Sequence, residues 1–308
     1  MKLKRVGNKP ILEPRKDIPW EKSAVLNTAA IYAKGAYHLF YRGVAHNPGA
    51  HNRSCLGHAW SRDGVHFKRV DVPFLRNNTR SDNTVGVEDP RIVKIQDTYY
   101  LTYVAWDAKR TQIGLATSKD LERWKDHGII FGYELFGNNK NATLFPEKIN
   151  GQYALIHRPM GFEWENPSTP LDMWLSFSAD LKHWNGHRRL LRARCGEVAW
   201  EYAKIGLGAP PIKTKQGWLM IYHAVDAKMV YRLGLVLLDL KDPTRVLKRT
   251  EKPILQPEIG WEVEGDVKNV VFTCGAVLKG TELWVYYGGA DTVIGLAKGD
   301  VAEFLADV

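Results

Sequence analysis

Glu88-Asp89, placed directly before Pro90, is the strongest candidate for acid–base chemistry in the chain. Proline restricts the preceding residue to extended conformations and removes a ladder donor. Gly86-Val87-Glu88-Asp89-Pro90-Arg91 therefore reads as a strand start at a channel mouth, with Asp89 extended. Side chains alternate along a strand, so only one of Glu88 and Asp89 should face the channel, and Asp89 is the candidate acid. A structural reading stands beside this one: an Asp89–Arg91 ion pair stabilising a turn, since Asp-Pro commonly starts turns. Basic residues sit at comparable places in other apolar runs: Arg42 after Tyr41, His157-Arg158 before Pro159, Lys204 before Ile205 and His223 after Tyr222. Singly, each reads as an exposed charge. Gathered around one axis they would clamp an anion, Arg as a planar fork and Lys as a point charge. No glycine-rich phosphate loop accompanies them, so a nucleotide is not implied. The histidines lack ligand spacing, and neither a metal nor a cofactor is expected.

A repeat is what could bring these residues together. A turn followed by a ring or large apolar residue and an alternating apolar run occurs five times, anchored at Tyr37, Tyr99, Tyr153, Trp218 and Leu283. The spacing is about 60 residues, in the range of repeat architectures, and each copy reads as a strand following a hairpin. A second motif, Ser-x-Asp followed by an aromatic, lies downstream at Ser61, Ser118 and Ser178. There the Ser and Asp side chains can bond turn amides. The expected architecture is all-β, a single five-bladed β-propeller over residues 1–308 with a central axial pocket, since radial repetition of small sheets protects their edges. Lys9-Pro10-Ile11-Leu12 and Lys252-Pro253-Ile254-Leu255 echo each other, and each precedes a Trp-Glu pair, Trp20-Glu21 and Trp261-Glu262. The N-terminal segment is thus expected to complete a blade finished by the C-terminus. The inner strands are expected near residues 24–29, 86–93, 139–146, 202–211 and 267–275.

Composition narrows the function. With 44% hydrophobic and 25% charged residues the chain can bury a core, so disorder is excluded. A net charge of +9 suits an anionic small substrate, while scattered Lys and Arg without a recognition motif argue against nucleic acid. Three distant cysteines, Cys55, Cys195 and Cys274, read as reduced thiols. No apolar run is long enough for a membrane span, and the N-terminus shows no secretory pattern. A cytoplasmic location is the expectation, with a homo-oligomer allowed.

At the quoted residues the chain resembles glycoside hydrolase family 130, the β-mannoside phosphorylases and related mannosidases. Besides the Gly86–Arg91 segment, the resemblance is carried by Leu144-Phe145-Pro146-Glu147, Ile156-His157-Arg158-Pro159, Gly206-Leu207-Gly208-Ala209-Pro210-Pro211, Trp218-Leu219-Met220-Ile221-Tyr222-His223 and Tyr286-Tyr287-Gly288-Gly289-Ala290-Asp291. It implies a five-bladed propeller and an inverting single displacement in which Asp89, the general acid, passes its proton through the 3-hydroxyl of the bound mannosyl unit. It places phosphate contacts on Arg158, Lys204 and His223, with a further basic contact at Lys140, and sugar contacts on Asn27, Arg42 and Asp291. The implied partners are a β-mannoside oligosaccharide and inorganic phosphate, which serves as co-substrate. An inverting hydrolase would need a second carboxylate about 6.5–9.5 Å from the acid, for which Glu197, Glu201 and Glu264 are the candidates. A phosphorylase needs cations instead, and their presence favours phosphorolysis over hydrolysis or a non-catalytic sugar-binding role. The segment 141–159 favours β-1,4-mannooligosaccharides or mannosyl-glucose, with β-1,2-mannobiose also within the family. Residues 161–170 read as an added loop.

Overall fold

A computed structural model describes residues 1–46, 53–76, 85–161 and 171–306. Apart from Gly161, the stretch read as an added loop lies outside the described residues.

The strands form five consecutive antiparallel groups. The first holds Ala24–Ala33, Ala36–Ala45 and Arg53–Ser61, edged by Lys68–Arg69. The second runs Gly86–Ile95, Thr98–Trp106, Thr111–Ser118 and Lys125–Phe131, and a lone parallel bridge, Ser54 to Gly86, joins it to the first. The third holds Asn138–Leu144, Tyr153–Gly161, Met173–Ser178 and Asn185–Leu191. The fourth holds Lys204–Leu207, Trp218–Val225, Tyr231–Leu238 and Val246–Arg249, with Ile212–Lys213 beside its second strand. Val271–Lys279, Glu282–Gly289 and Val293–Asp300 make the fifth, whose outer strand is Lys4–Arg5 from the N-terminus, as the echoed termini suggested. The five anchors each fall at or beside the start of a group's second strand.

Apolar side chains on both faces of these sheets explain their order in space. Five core clusters each straddle two consecutive groups. Leu56 and Leu101 share one cluster, Ile113 and Leu155 the next, and Ile156 and Met220 the third. Leu235 packs with Val285, and Tyr286 with Tyr37, so the series returns to the first group. Every sheet is therefore covered on both faces by its two neighbours, with no separate layer needed.

The Ser-x-Asp turns behave as their chemistry predicts. Ser118 Oγ accepts from the amides of Asp120 and Leu121, while Asp120 Oδ1 accepts from those of Glu122 and Arg123. Ser61–Asp63 and Ser178–Asp180 repeat the pattern.

A buried device occurs three times. Trp20, Trp200 and Trp261 each stack on a tyrosine of a second strand, Tyr41, Tyr222 and Tyr287, at centroid distances of 5.8, 5.6 and 5.7 Å. The following glutamate, Glu21, Glu201 or Glu262, accepts from that tyrosine's hydroxyl and from one or two arginines. The indole fits only where a neighbouring strand carries glycine, since a Cβ on Gly43, Gly234 or Gly289 would lie 2.3–2.6 Å from an indole atom. Glu201, proposed above as a hydrolytic base, is thus a structural carboxylate held by Arg194, Arg249 and Tyr222. No helix among the described residues is long and apolar enough to cross a membrane.

Removing the buried Glu201 carboxylate leaves part-buried Arg249 without a carboxylate and Arg194 with only the exposed Glu251, so Glu201→Ala should destabilise the fold by about 3 kcal/mol. Urea unfolding reads this directly, and turnover per folded molecule should not change.

Candidate active site

The first strand of each group begins at a common cavity, and three of these strands break their ladder in the same way. Register shifts lie between Leu26 and Ala29, Glu88 and Arg91, and Lys140 and Thr143. At each break one residue takes a left-handed conformation: Asn27 (φ 47°), Asp89 (φ 50°) and Asn141 (φ 53°). Asn and Asp enter this region more readily than other residues with side chains. A bulge inserts an unpaired residue and re-aims its side chain. Two sequence expectations are corrected by this. Asp89 is not extended, despite Pro90, and Glu88 does not face away, because the bulge cancels the two-residue alternation. Both carboxylates line the cavity.

The cavity has a volume of about 190 Å³. Asn27, Arg42, Asp89, Lys140, Arg158, Lys204, His223 and Asp291 all line it, so the eight residues expected as acid, phosphate contacts and sugar contacts come to one place. Glu88, Asn141, Tyr231 and Phe272 line it as well, and sequence reasoning had not selected them. Asn141 was within reach, since it occupies in the third group the place Asn27 and Asp89 hold in theirs. Nothing in the local pattern pointed to Tyr231. Close approach on the fourth strand depends on Gly206, where a Cβ would lie 2.4 Å from His223 Cε1 and 2.7 Å from Asn141 Oδ1.

Charge is distributed unevenly around the cavity. On one side Asn27 Nδ2 donates to Asp89 Oδ1 at 2.9 Å, and Arg42 Nη2 donates to Glu88 Oε1 at 2.7 Å. Arg42 Nη1 also lies 3.7 Å from Asp89 Oδ1. Lys140 Nζ reaches Glu88 Oε2 at 3.3 Å, so this predicted phosphate contact is tied to a carboxylate. Burial alone would raise the Glu88 carboxyl, but Arg42 and Lys140 hold it below its ordinary value. Asp291 is pushed up to about 6 by burial, with Arg42 opposing and Asp89 adding to the rise.

The other side carries cations without counterions. Arg158 Nη1 donates to His223 Nε2 at 3.2 Å, and Lys204 Nζ stands over the Tyr231 ring, 4.9 Å from its centroid. Among the described residues neither Arg158 nor Lys204 has a carboxylate within salt-bridge distance. Burial and the Arg158 charge lower Lys204 to about 7, and burial lowers Arg158 to about 10. His223 is driven well below its usual value by burial and then by Arg158 and Lys204, so it is neutral and accepts from Arg158. Arg158 Nε and His223 Nδ1 are buried without a partner. Such a cluster suits an oxyanion, which would supply both negative charge and acceptors.

The structural alternative for Asp89 is removed, because Arg91 donates to main-chain carbonyls and not to that carboxylate. Glu197 and Glu264 are not among the residues that line the cavity. Glu197 pairs with Arg192.

An all-β scaffold whose polar pocket sets carboxylates against cations suits an enzyme that brings an oxyanion to a polar substrate. The family described as β-1,4-mannooligosaccharide phosphorylase matches residues 2–307, and the chain belongs to this family, glycoside hydrolase family 130. It is 48% identical over 303 residues to a 1,2-β-oligomannan phosphorylase of Thermoanaerobacter sp. strain X514, covering 96% of this chain and 97% of the relative. A β-1,2-mannobiose phosphorylase of the same strain is 44% identical, with 96% of each chain covered. Among solved structures, the β-1,2-mannobiose phosphorylase of Listeria innocua in complex with β-1,2-mannobiose superposes with a TM-score of 0.88 at 31% identity, covering 99% of both chains.

Inorganic phosphate alone should stabilise the protein, by about 2.7 kcal/mol at a hundredfold excess over its Kd. In Arg158→Met a thermal melt should lose this shift. The ligand-free protein should melt no lower than the parent, because an uncompensated buried cation has gone.

Proposed function

We propose that the chain is a β-mannoside phosphorylase, built as a single five-bladed β-propeller over residues 1–308, that acts on β-1,2-linked mannosides. The cyclic order of the five core clusters supports the propeller, each strand group being a blade and the first strands meeting at the axial pocket. The observation that carries the reaction is the pair of uncompensated cations, Arg158 and Lys204, with neutral His223 between strands that face Asp89 across one cavity.

Phosphate held by Arg158, Lys204 and His223 attacks the anomeric carbon of the mannosyl unit. The glycosidic C–O bond breaks on the opposite face, and the departing oxygen takes a proton from the sugar's 3-hydroxyl, which is replenished by Asp89. The products are α-mannose 1-phosphate and the shortened acceptor. Asn27 orients the Asp89 carboxyl through its 2.9 Å hydrogen bond, and Arg42, fixed by Glu88, reaches the same sugar. Lys140 bridges the two halves of the site through Glu88. No second carboxylate is required, because phosphate is already an anionic nucleophile and needs positioning more than activation.

The linkage follows the relatives. The three named above act on β-1,2-mannan or β-1,2-mannobiose, so the sequence-based leaning toward β-1,4 gives way to β-1,2. A cytoplasmic setting, where phosphate is plentiful, fits this chemistry.

Incubation with phosphate and a panel of β-mannobioses should release mannose 1-phosphate fastest from the β-1,2 isomer, and undiminished cleavage to free mannose in phosphate-free buffer would sink the assignment. Asp89→Asn should lower kcat by about 10²–10⁴-fold, the usual contribution of a general acid.

Lys204 gives a pH signature. Its ammonium in the free protein titrates at about 7, so kcat/KM for phosphate should fall as pH rises through that value. Lys204→Arg stays charged and should keep its efficiency to higher pH. Titration of phosphate itself is common to both proteins and cancels in their ratio.

A further inference from the structure

Arg91 is the least exposed charged residue near the cavity, with 1% of its surface accessible, and it takes no part in the reaction described above. Its guanidinium spans the axis. Nε donates to the Gly208 carbonyl at 2.7 Å and Nη2 to that of Leu207 at 2.8 Å, both at the end of the fourth group's first strand, a group that is not adjacent to its own. Nη1 turns back to the Asp89 carbonyl at 3.1 Å. One planar group thus holds the main chain of the acid and the main chain that carries the anion cradle. Lys204 starts the strand that ends at Leu207, and Gly206 of that strand pairs with His223. Asp89 sits in a left-handed bulge, where the ladder itself does little to fix its position.

We infer that Arg91 is a positioning residue that sets the distance and angle between the Asp89 carboxyl and the phosphate cradle. The inference rests on the reaction assigned above. A single displacement needs nucleophile and acid on opposite faces of one carbon, and a misplacement of about 1 Å can cost 10²-fold in rate. The fork geometry matters because two of its three bonds cross the axis while the third reaches the acid. Lysine keeps the charge but cannot make three directed bonds at once. The charge has a separate effect, adding to the positive field that keeps His223 neutral and attracts phosphate.

The test compares Arg91→Lys with the parent on two substrates, β-1,2-mannobiose and 2,4-dinitrophenyl β-mannoside, whose leaving group departs without protonation. Turnover of the disaccharide should fall by about 10²-fold, while the aryl mannoside should lose less than about tenfold and phosphate affinity, read from melting shifts, should hardly move. A general structural defect would lower both substrates alike, and equal losses, or no loss on either, overturn the inference. Gly208→Ala supplies a second route that keeps Arg91, since the added Cβ would lie 2.9 Å from the Ile221 carbonyl and 3.0 Å from Thr273 Cγ2, displacing the receiving strand. It should give the same split between substrates. Parent activity independent of phosphate would instead refute the assigned reaction, and the substrate split would still read Arg91 through Asp89.

Discussion

Buried cations without counterions are costly, and the cavity concentrates them on one side. Arg158 is buried and Lys204 largely withdrawn from water, with no carboxylate in range among the described residues, and Arg158 donates to the neutral imidazole of His223. An isolated pair of such charges would be expelled or neutralised in a pliable structure. They persist because the scaffold around them cannot easily yield. Five sheets, each packed on both neighbours, fix the first strands against one another, and three Trp-Glu-Tyr-Arg assemblies lock strands further out. The stability of the periphery is what allows the centre to be electrostatically unfavourable until an anion arrives.

The same rigidity makes the bulges useful. A regular strand would point alternate side chains at the axis, giving one polar group per two residues. Left-handed Asn27, Asp89 and Asn141 break that count, so Glu88 and Asp89 enter the cavity together. The result is a division of labour between adjacent carboxylates. Glu88 is committed to Arg42 and Lys140, which leaves Asp89 with only an amide donor and one distant guanidinium.

Much of this was legible in the sequence, and the limits have physical causes. The five anchors follow a simple turn-and-alternation rule and the termini echo each other, so the strand groups and the completion of the last one by the N-terminal segment could be read directly. Of the eight candidates, Asn27, Asp89, Lys140 and Lys204 stand on first strands, Arg42, Arg158 and His223 on second strands, and Asp291 just past the second strand of the last group. What escaped was the local backbone. Pro90 argues for an extended Asp89 on steric grounds, yet a bulge stabilised by both neighbouring strands overrides that preference. The Trp-Glu pairs at Trp20 and Trp261 are marked by the Lys-Pro-Ile-Leu echo before each, but Trp200-Glu201 has no such echo, and Glu201 reads as a candidate base because its tyrosine and Arg249 stand 21 and 48 residues further on. Arg91 was hidden for the same reason, since its acceptors are main-chain carbonyls more than a hundred residues away.

The choice between water and phosphate as nucleophile comes down to where the cavity's negative charges lie. Hydrolysis by inversion needs a free carboxylate across the sugar from the acid, to remove a proton from water. Of the cavity's carboxylates, Glu88 is held by two cations, and Asp291 stands within the electrostatic reach of Arg42, Asp89 and Glu88, on the acid's own side of the cavity. The opposite wall offers only donors and a neutral imidazole. A water placed there would find no base, and its attack would build positive charge among cations. A phosphate dianion placed there would bring the charge the wall lacks, satisfy buried donors such as Arg158 Nε, and present an oxygen to the anomeric carbon without losing a proton first. The electrostatics that make the empty site unfavourable are the same ones that select its nucleophile.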